Sequence, residues 1–409
     1  MKPSKLGALA LTVLASLLLA ACGGGDPEQA ASGSTATALH AQRSFTSVVS
    51  FGDSLSDVGT YTPATVIPGT DPPIYLGGKF TTNSATSRIW IENIADKLGV
   101  TVTPAEVGFG PYSTACPAAA QGLASTCTAY GQGGARVTDA NGTRHAAGAL
   151  TVPIKTQIAR HLASFQRFKS TDLILLWAGS NDLLWELEQD PTVNPDSFVI
   201  RLFQIQAQAQ AGVISADQAQ AQVYLALLAS QAAMKAAALE LSGYIRDEVI
   251  AKGGRYVAVL NLPEPTVTPE GAGIAAASPF LGAAMSSFAD AFNTGLQEGL
   301  AGQPVQLIDI RRFINDVVAH PAAYEMVNTS VPACDATKMA TITNGAVTDG
   351  FALFCNATRK APYNGLRDGA NVHTWFFADG NHPTTGGHKL ISTEVLKQLR
   401  SSGWLREQE

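Results

Sequence analysis

Charge is scarce in this 409-residue chain: Asp, Glu, Lys and Arg make up 15% of it and the formal net charge is -6. No run of Lys and Arg follows the N-terminal residues. A phosphate backbone is bound by clustered cations, so nucleic acid is not expected as a partner. Cysteine is also sparse, five in all, and none has the CxxC-type spacing with neighbouring histidines that a zinc site uses. No metal and no cofactor are expected. The G-x-S-x-G elbow of the ordinary α/β-hydrolases is missing as well, which argues against that fold. Apolar residues, in contrast, make up 46%, enough to bury one large core or two ordinary ones.

The N-terminus carries a compartment signal. "MKPSK" is a short basic start, "LGALALTVLASLLLA" is an apolar run too promptly ended for a membrane span, and "LAAC" follows. Residues 1–21 read as a signal peptide. Leu19-Ala20-Ala21-Cys22 resembles the bacterial lipobox, which implies a lipid on Cys22 and anchoring to a membrane by more than one acyl chain. An ordinary secretory signal with a chance cysteine is the alternative. Gly23 rather than Asp after the cysteine points toward the outer membrane of a bacterial envelope. Residues 22–44, rich in Gly, Ser, Ala and Thr, read as a flexible tether. With Cys22 lipidated, Cys116, Cys127, Cys334 and Cys355 remain, an even number in an exported protein. Of the three possible connectivities the sequence-local one, Cys116–Cys127 with Cys334–Cys355, is the expectation, each loop being worth roughly 3 kcal/mol.

From residue 45 to 409 one domain is expected. "VVSF", "LILLW", "YVAVL" and "VQLIDI" are apolar at successive positions and read as buried strands. Helical stretches lie between them, among them 88–98, 216–252 and 279–300. Strand and helix in alternation predict an α/β fold with a central parallel sheet covered on both faces, three layers in all. Residues 204–252, dense in Ala and Gln, read as a helical hairpin broken near Gly212 that elaborates the surface.

Functional groups of such a sheet gather beyond the carboxyl ends of its strands. "VVSF" ends by delivering Gly52-Asp53-Ser54-Leu55-Ser56 there, and "LILLWAGSND" delivers Gly179, Asn181 and Asp182. A serine after a strand is by itself more often a helix cap. "GQGGARVTD" supplies a glycine turn at Gly133 and Gly134 whose backbone N–H groups can approach a ligand. In "FFADGNHPTTGGHKL" Asp379 and His382 stand three residues apart, so the carboxylate can fix the imidazole's tautomer while the other ring nitrogen faces the serine. His373 and His388 flank His382. A structural role fits His388, and the paired Asp379 favours His382.

The four blocks "FGDSLSDVG", "GQGGARV", "AGSND" and "DGNHP", in this order, resemble the SGNH hydrolases, the GDSL family of lipases and esterases. The likeness extends from about Phe45 to the C-terminus and departs at "TTNSATSRIW", where Asn-Gly is expected before the helix. The resemblance implies a flavodoxin-like α/β/α fold, Ser54 as nucleophile, His382 as general base and then acid, and Asp379 as its orienting group. It implies an oxyanion hole made of the Ser54 N–H, the Gly134 N–H and the Asn181 amide, with Gly133 as an alternative donor. The implied activity is hydrolysis of carboxylic esters, acyl or lipid, through an acyl-serine. An O-acetyl esterase acting on polysaccharide and a non-catalytic surface-binding lipoprotein are the rival readings. A C-terminal translocator barrel, as in autotransporter esterases, is not expected with about twenty residues after His388.

Overall fold

The computed structural model describes residues 44–67 and 69–406; the expected signal peptide, Cys22 and nearly all of the tether lie outside the described residues. The four apolar runs form one parallel sheet in chain order: β1 (Ser47–Gly52), β2 (Asp172–Trp177), β3 (Tyr256–Leu260) and β4 (Val305–Ile308). The register runs from Ser47 opposite Asp172 to Gly52 opposite Trp177, so β1 and β2 end side by side. On the outer edge of β1, Ser50 N donates to Thr128 O and Tyr130 N to Ser50 O, which lays residues 128–130 parallel to the sheet.

Helices fill the connections. They are α1 (Trp90–Lys97), α2 (Ile154–Phe165), α3 (Ser180–Glu186), α4 (Phe198–Gln210) and α5 (Ala216–Tyr244). Then come α6 (Pro269–Ala277), α7 (Pro279–Gly299), α8 (Ile310–Ala319), α9 (Ala336–Ile342) and α10 (Thr385–Ser401). Alternate strand residues point to opposite faces. Val49, Phe51, Ile174, Leu176, Val257 and Val259 pack under α2, α4, α5 and α7. Val48, Leu173, Leu175, Trp177, Ala258 and Leu260 pack under α1, α8 and α10. A strand buried on both faces has no polar side to alternate with, which is why Leu173–Trp177 and Val257–Leu260 are continuously apolar, whereas β4 at the sheet edge carries Gln306 and leaves Leu307 exposed. The result is the three-layer α/β/α arrangement of the sequence-based expectation.

Two boundaries differ from the sequence pattern. "VQLIDI" leaves the sheet at Ile308, because the Asp309 carboxylate accepts the Arg312 N–H at 3.1 Å and starts α8. The long Ala/Gln helix ends at Tyr244 and continues as a wider π-type turn over Ile245–Ile250. The hairpin itself is present: α4 ends at Gln210, and Ser215 with Gln218 forms a capping box that opens α5. Cys116 pairs with Cys127 and Cys334 with Cys355. Among the described residues no helix is long and apolar enough to cross a membrane.

One buried group works against this core. His161 on α2 is 2% exposed, stacks on Phe165 and Phe168 at ring-centroid distances of 5.0 and 4.3 Å, and meets Tyr130 edge-on. Neither ring nitrogen has a hydrogen-bond partner among the described residues. Burial, with Lys169 adding to it, pushes its pKa down to about 4. A histidine whose pKa is depressed on folding carries no protonation-linked penalty above its unfolded value of 6.5. As pH falls from there toward about 4, the unfolded chain takes up the proton and stability is lost. His161→Phe keeps the ring and removes the orphaned nitrogens. It should raise stability by about 1–3 kcal/mol and flatten the loss between pH 6.5 and 4, checked by melting temperature against pH. A lower melting temperature at neutral pH would contradict this.

Candidate active site

At the carboxyl end of β1 the chain turns at once, because the Asp53 carboxylate accepts the Leu55 N–H at 3.1 Å and Ser54–Ser56 form a single tight turn. That turn aims Ser54 away from the sheet. Its Oγ lies 2.9 Å from His382 Nε2. His382 comes from the turn that precedes α10, a helix capped by the Thr384 hydroxyl. The imidazole Nδ1 stands 2.9 Å from both oxygens of Asp379. Asp379 accepts three backbone bonds besides: from Ala352 N at 2.8 Å, Asn381 N at 3.1 Å and His382 N at 2.8 Å. The Nδ1–H therefore donates to the carboxylate, and Nε2 is left to accept from the serine.

Electrostatics follow from this geometry. Burial would raise the Asp379 pKa, but the His382 charge and the hydrogen bonds outweigh it and hold the carboxyl below its ordinary value. Burial would lower His382, but the Asp379 carboxylate, with Asp53 and Glu270 adding to it, holds the imidazole above 6.5. Asp53 is fully buried, one of its oxygens has no hydrogen-bond partner among the described residues, and burial pushes it up to about 7. A hydroxyl bonded to an imidazole that is itself bonded to a carboxylate can lose its proton as it attacks a carbonyl carbon.

The expected oxyanion donors converge on the same place. Ser54, Gly134 and Asn181 all line one cleft with His382. Gly133 does not have a free donor, since its N–H is taken by Asp57 Oδ2 at 3.0 Å. The N–H groups of Ser54 and Gly134 have no hydrogen-bond acceptor among the described residues. Gly134 has φ +83°, and a Cβ there would lie 2.2 Å from Thr143 O, so only glycine fits. Asn181 stands in the first turn of α3, buried, and one hydrogen of its amide goes to Ala135 O at 3.1 Å. The other remains for a ligand. Asp182 beside it accepts from Val137 N at 3.1 Å and Arg136 Nε at 3.3 Å, tying the second strand end to the glycine turn.

The other histidines are elsewhere. His388 is fully buried on α10, within 3.4 Å of Trp90 N and Phe80 O, and burial pushes it down to about 3. His373 is exposed. Among the described residues no three His, Cys, Asp or Glu side chains group as metal ligands. Asn83, in the segment that departs from the family pattern, donates to Thr81 O and Ala352 O, bracing the loop that serves Asp379. Glu270 carries no signal in the sequence. Its N–H donates to Gly380 O at 2.9 Å, and its carboxylate, open to the cleft, accepts from Asn381 Nδ2 at 3.1 Å. The Glu270 contacts join segments remote in sequence. The Cys334–Cys355 bridge, the pairing expected from the sequence, joins the segment whose Cys334 N–H donates to Ala378 O to the loop that supplies Ala352.

The cleft has a volume of about 1590 Å³, and Phe80, Leu184, Phe203, Ile274, Met285 and Phe351 are among its walls. Residues 48–395 match the family model described as GDSL-like lipase/acylhydrolase. No curated protein matches the chain. If the Asn181 amide meets charge that develops during reaction, Asn181→Ala should lower kcat by about a hundredfold or more with KM little changed. Steady-state kinetics beside a melting curve test this. A preserved kcat with a lowered melting temperature would reduce Asn181 to a support for Ala135.

Proposed function

The chain belongs to the GDSL-like lipase/acylhydrolase family, and from that footing we propose that it is a membrane-anchored serine esterase that cleaves carboxylic esters of lipids or other long acyl groups. The observation that carries the chemistry is the unbroken chain of contacts from Ser54 Oγ through His382 to Asp379, each step 2.9 Å. Ser54 Oγ attacks the ester carbonyl carbon and its proton passes to His382 Nε2. Asp379 holds the Nδ1 proton and stabilises the imidazolium without taking that proton. The carbonyl oxygen, now an oxyanion, is met by the N–H of Ser54, the N–H of Gly134 and the Asn181 amide. Collapse expels the alcohol oxygen, which takes the proton from His382 Nε2 and leaves an acyl-serine. Water then attacks the acyl carbon as His382 takes its proton, and the second collapse returns that proton to Ser54 Oγ and releases the acid.

The breadth of the cleft and its largely apolar walls support a long acyl chain over an acetyl group, which would leave most of that surface wet. The lipobox resemblance at Cys22 supports a site held beside lipid substrate. A series of p-nitrophenyl esters from acetyl to palmitoyl, run beside phospholipids and acetylated glycans, tests the substrate. kcat/KM should rise with chain length, whereas activity confined to acetyl esters and glycans would replace this reading with a polysaccharide deacetylase. Anchoring is tested by Cys22→Ser, which should move the protein from the membrane fraction to the soluble one with activity per molecule kept. Retention in the membrane fraction would remove the lipid anchor.

A further inference from the structure

Asp57 belongs to the first sequence block but takes no part in the chemistry above. It is fully buried. One carboxylate oxygen accepts the N–H groups of Gly59 at 2.9 Å and Thr60 at 2.7 Å, folding the loop after Ser54 back on itself. The other reaches across to a segment more than seventy residues away and accepts the Gly133 N–H at 3.0 Å. The same loop grips Gly133 from its other side, where the Tyr61 hydroxyl donates to Gly133 O at 2.8 Å. Thr60 adds a longer bond to Gly131 O at 3.4 Å. Both backbone groups of Gly133 are thus committed to the Ser54 loop.

The peptide that follows Gly133 carries the Gly134 N–H, and with Gly133 fixed on both sides its direction is set. We propose that Asp57, seconded by Tyr61, is the positioning residue of the oxyanion hole: it locks the glycine turn to the nucleophile's own loop and so aims the Gly134 N–H at the carbonyl oxygen that Ser54 attacks. Two of the three donors then move as one body with the nucleophile. Their spacing does not rely on packing between distant segments. A carboxylate suits this task because it accepts from three N–H groups in two directions, while an amide of the same shape would turn a donor toward one of them. Burial pushes Asp57 up to about 6, against which the hydrogen bonds from Thr60, Gly59 and Gly133 act.

This inference rests on the reading of Gly134 as an oxyanion donor. Asp57→Asn is isosteric and faces the Gly133 N–H with an N–H of its own, and Tyr61→Phe keeps the ring while releasing Gly133 O. Steady-state kinetics on the best p-nitrophenyl ester would be measured with the rate of inactivation by a fluorophosphonate and the melting temperature. Asp57→Asn should lower kcat and the inactivation rate together by tenfold or more, with KM within about twofold, and Tyr61→Phe should show the same split to a smaller degree. Folded Asp57→Asn and Tyr61→Phe enzymes with kcat and inactivation rate at the wild-type value would overturn the inference. So would a loss confined to KM. If Asp57→Asn does not fold, Tyr61→Phe decides by the same split. Wild-type protein inert to every ester would instead overturn the underlying reading of the site.

Discussion

The Asp379 carboxylate sits out of water and stays ionised because four N–H groups surround it: three from the backbone and one from His382. An isolated charge at that depth would protonate, and the imidazole would lose both its orientation and its tautomer. The backbone donors come from two places. Asn381 and His382 belong to the aspartate's own turn, and Ala352 belongs to a loop that the Cys334–Cys355 bridge and Asn83 hold against it. Glu270, at the start of α6, steadies the turn from the cleft side through Gly380 and Asn381.

The same device recurs around the crevice. Asp53, Asp57 and Asp182 are buried carboxylates whose pKa values burial pushes up to about 7, 6 and 6. Each accepts a backbone N–H from a loop at the sheet edge, and Asp57 and Asp182 do so across different sequence blocks. Loops carry no ladder of their own, so side-chain acceptors supply the bonds that fix them. The parallel sheet brings the strand ends together, and the carboxylates tie down the loops beyond those ends.

The strands were legible because burial on both faces demands apolar runs, continuous over Leu173–Trp177 and broken only by Ser50 within Val48–Phe51. Ser54, Asn181, Asp379 and His382 were legible as members of ordered blocks, and the spacing of Asp379 and His382 on one turn was physically sufficient to pair them. Gly133 and Gly134 could not be separated by sequence, since the choice depends on whose N–H Asp57 occupies, a contact between residues far apart in the chain. Glu270 and the loop around Ala352 were hidden for the same reason. The end of the fourth strand was misjudged at Asp309, where a local cap outcompeted an apolar run. The hydrogen-bonding need of one helix start decided that boundary.

Direct evidence for the central claim would come from treating the protein with a fluorophosphonate and mapping the adduct by peptide mass. One phosphonylated residue per chain, Ser54, is expected, with labelling lost in Ser54→Ala and in His382→Ala but kept in His388→Ala. An adduct on another serine, or labelling of Ser54 at the wild-type rate in His382→Ala, would contradict it.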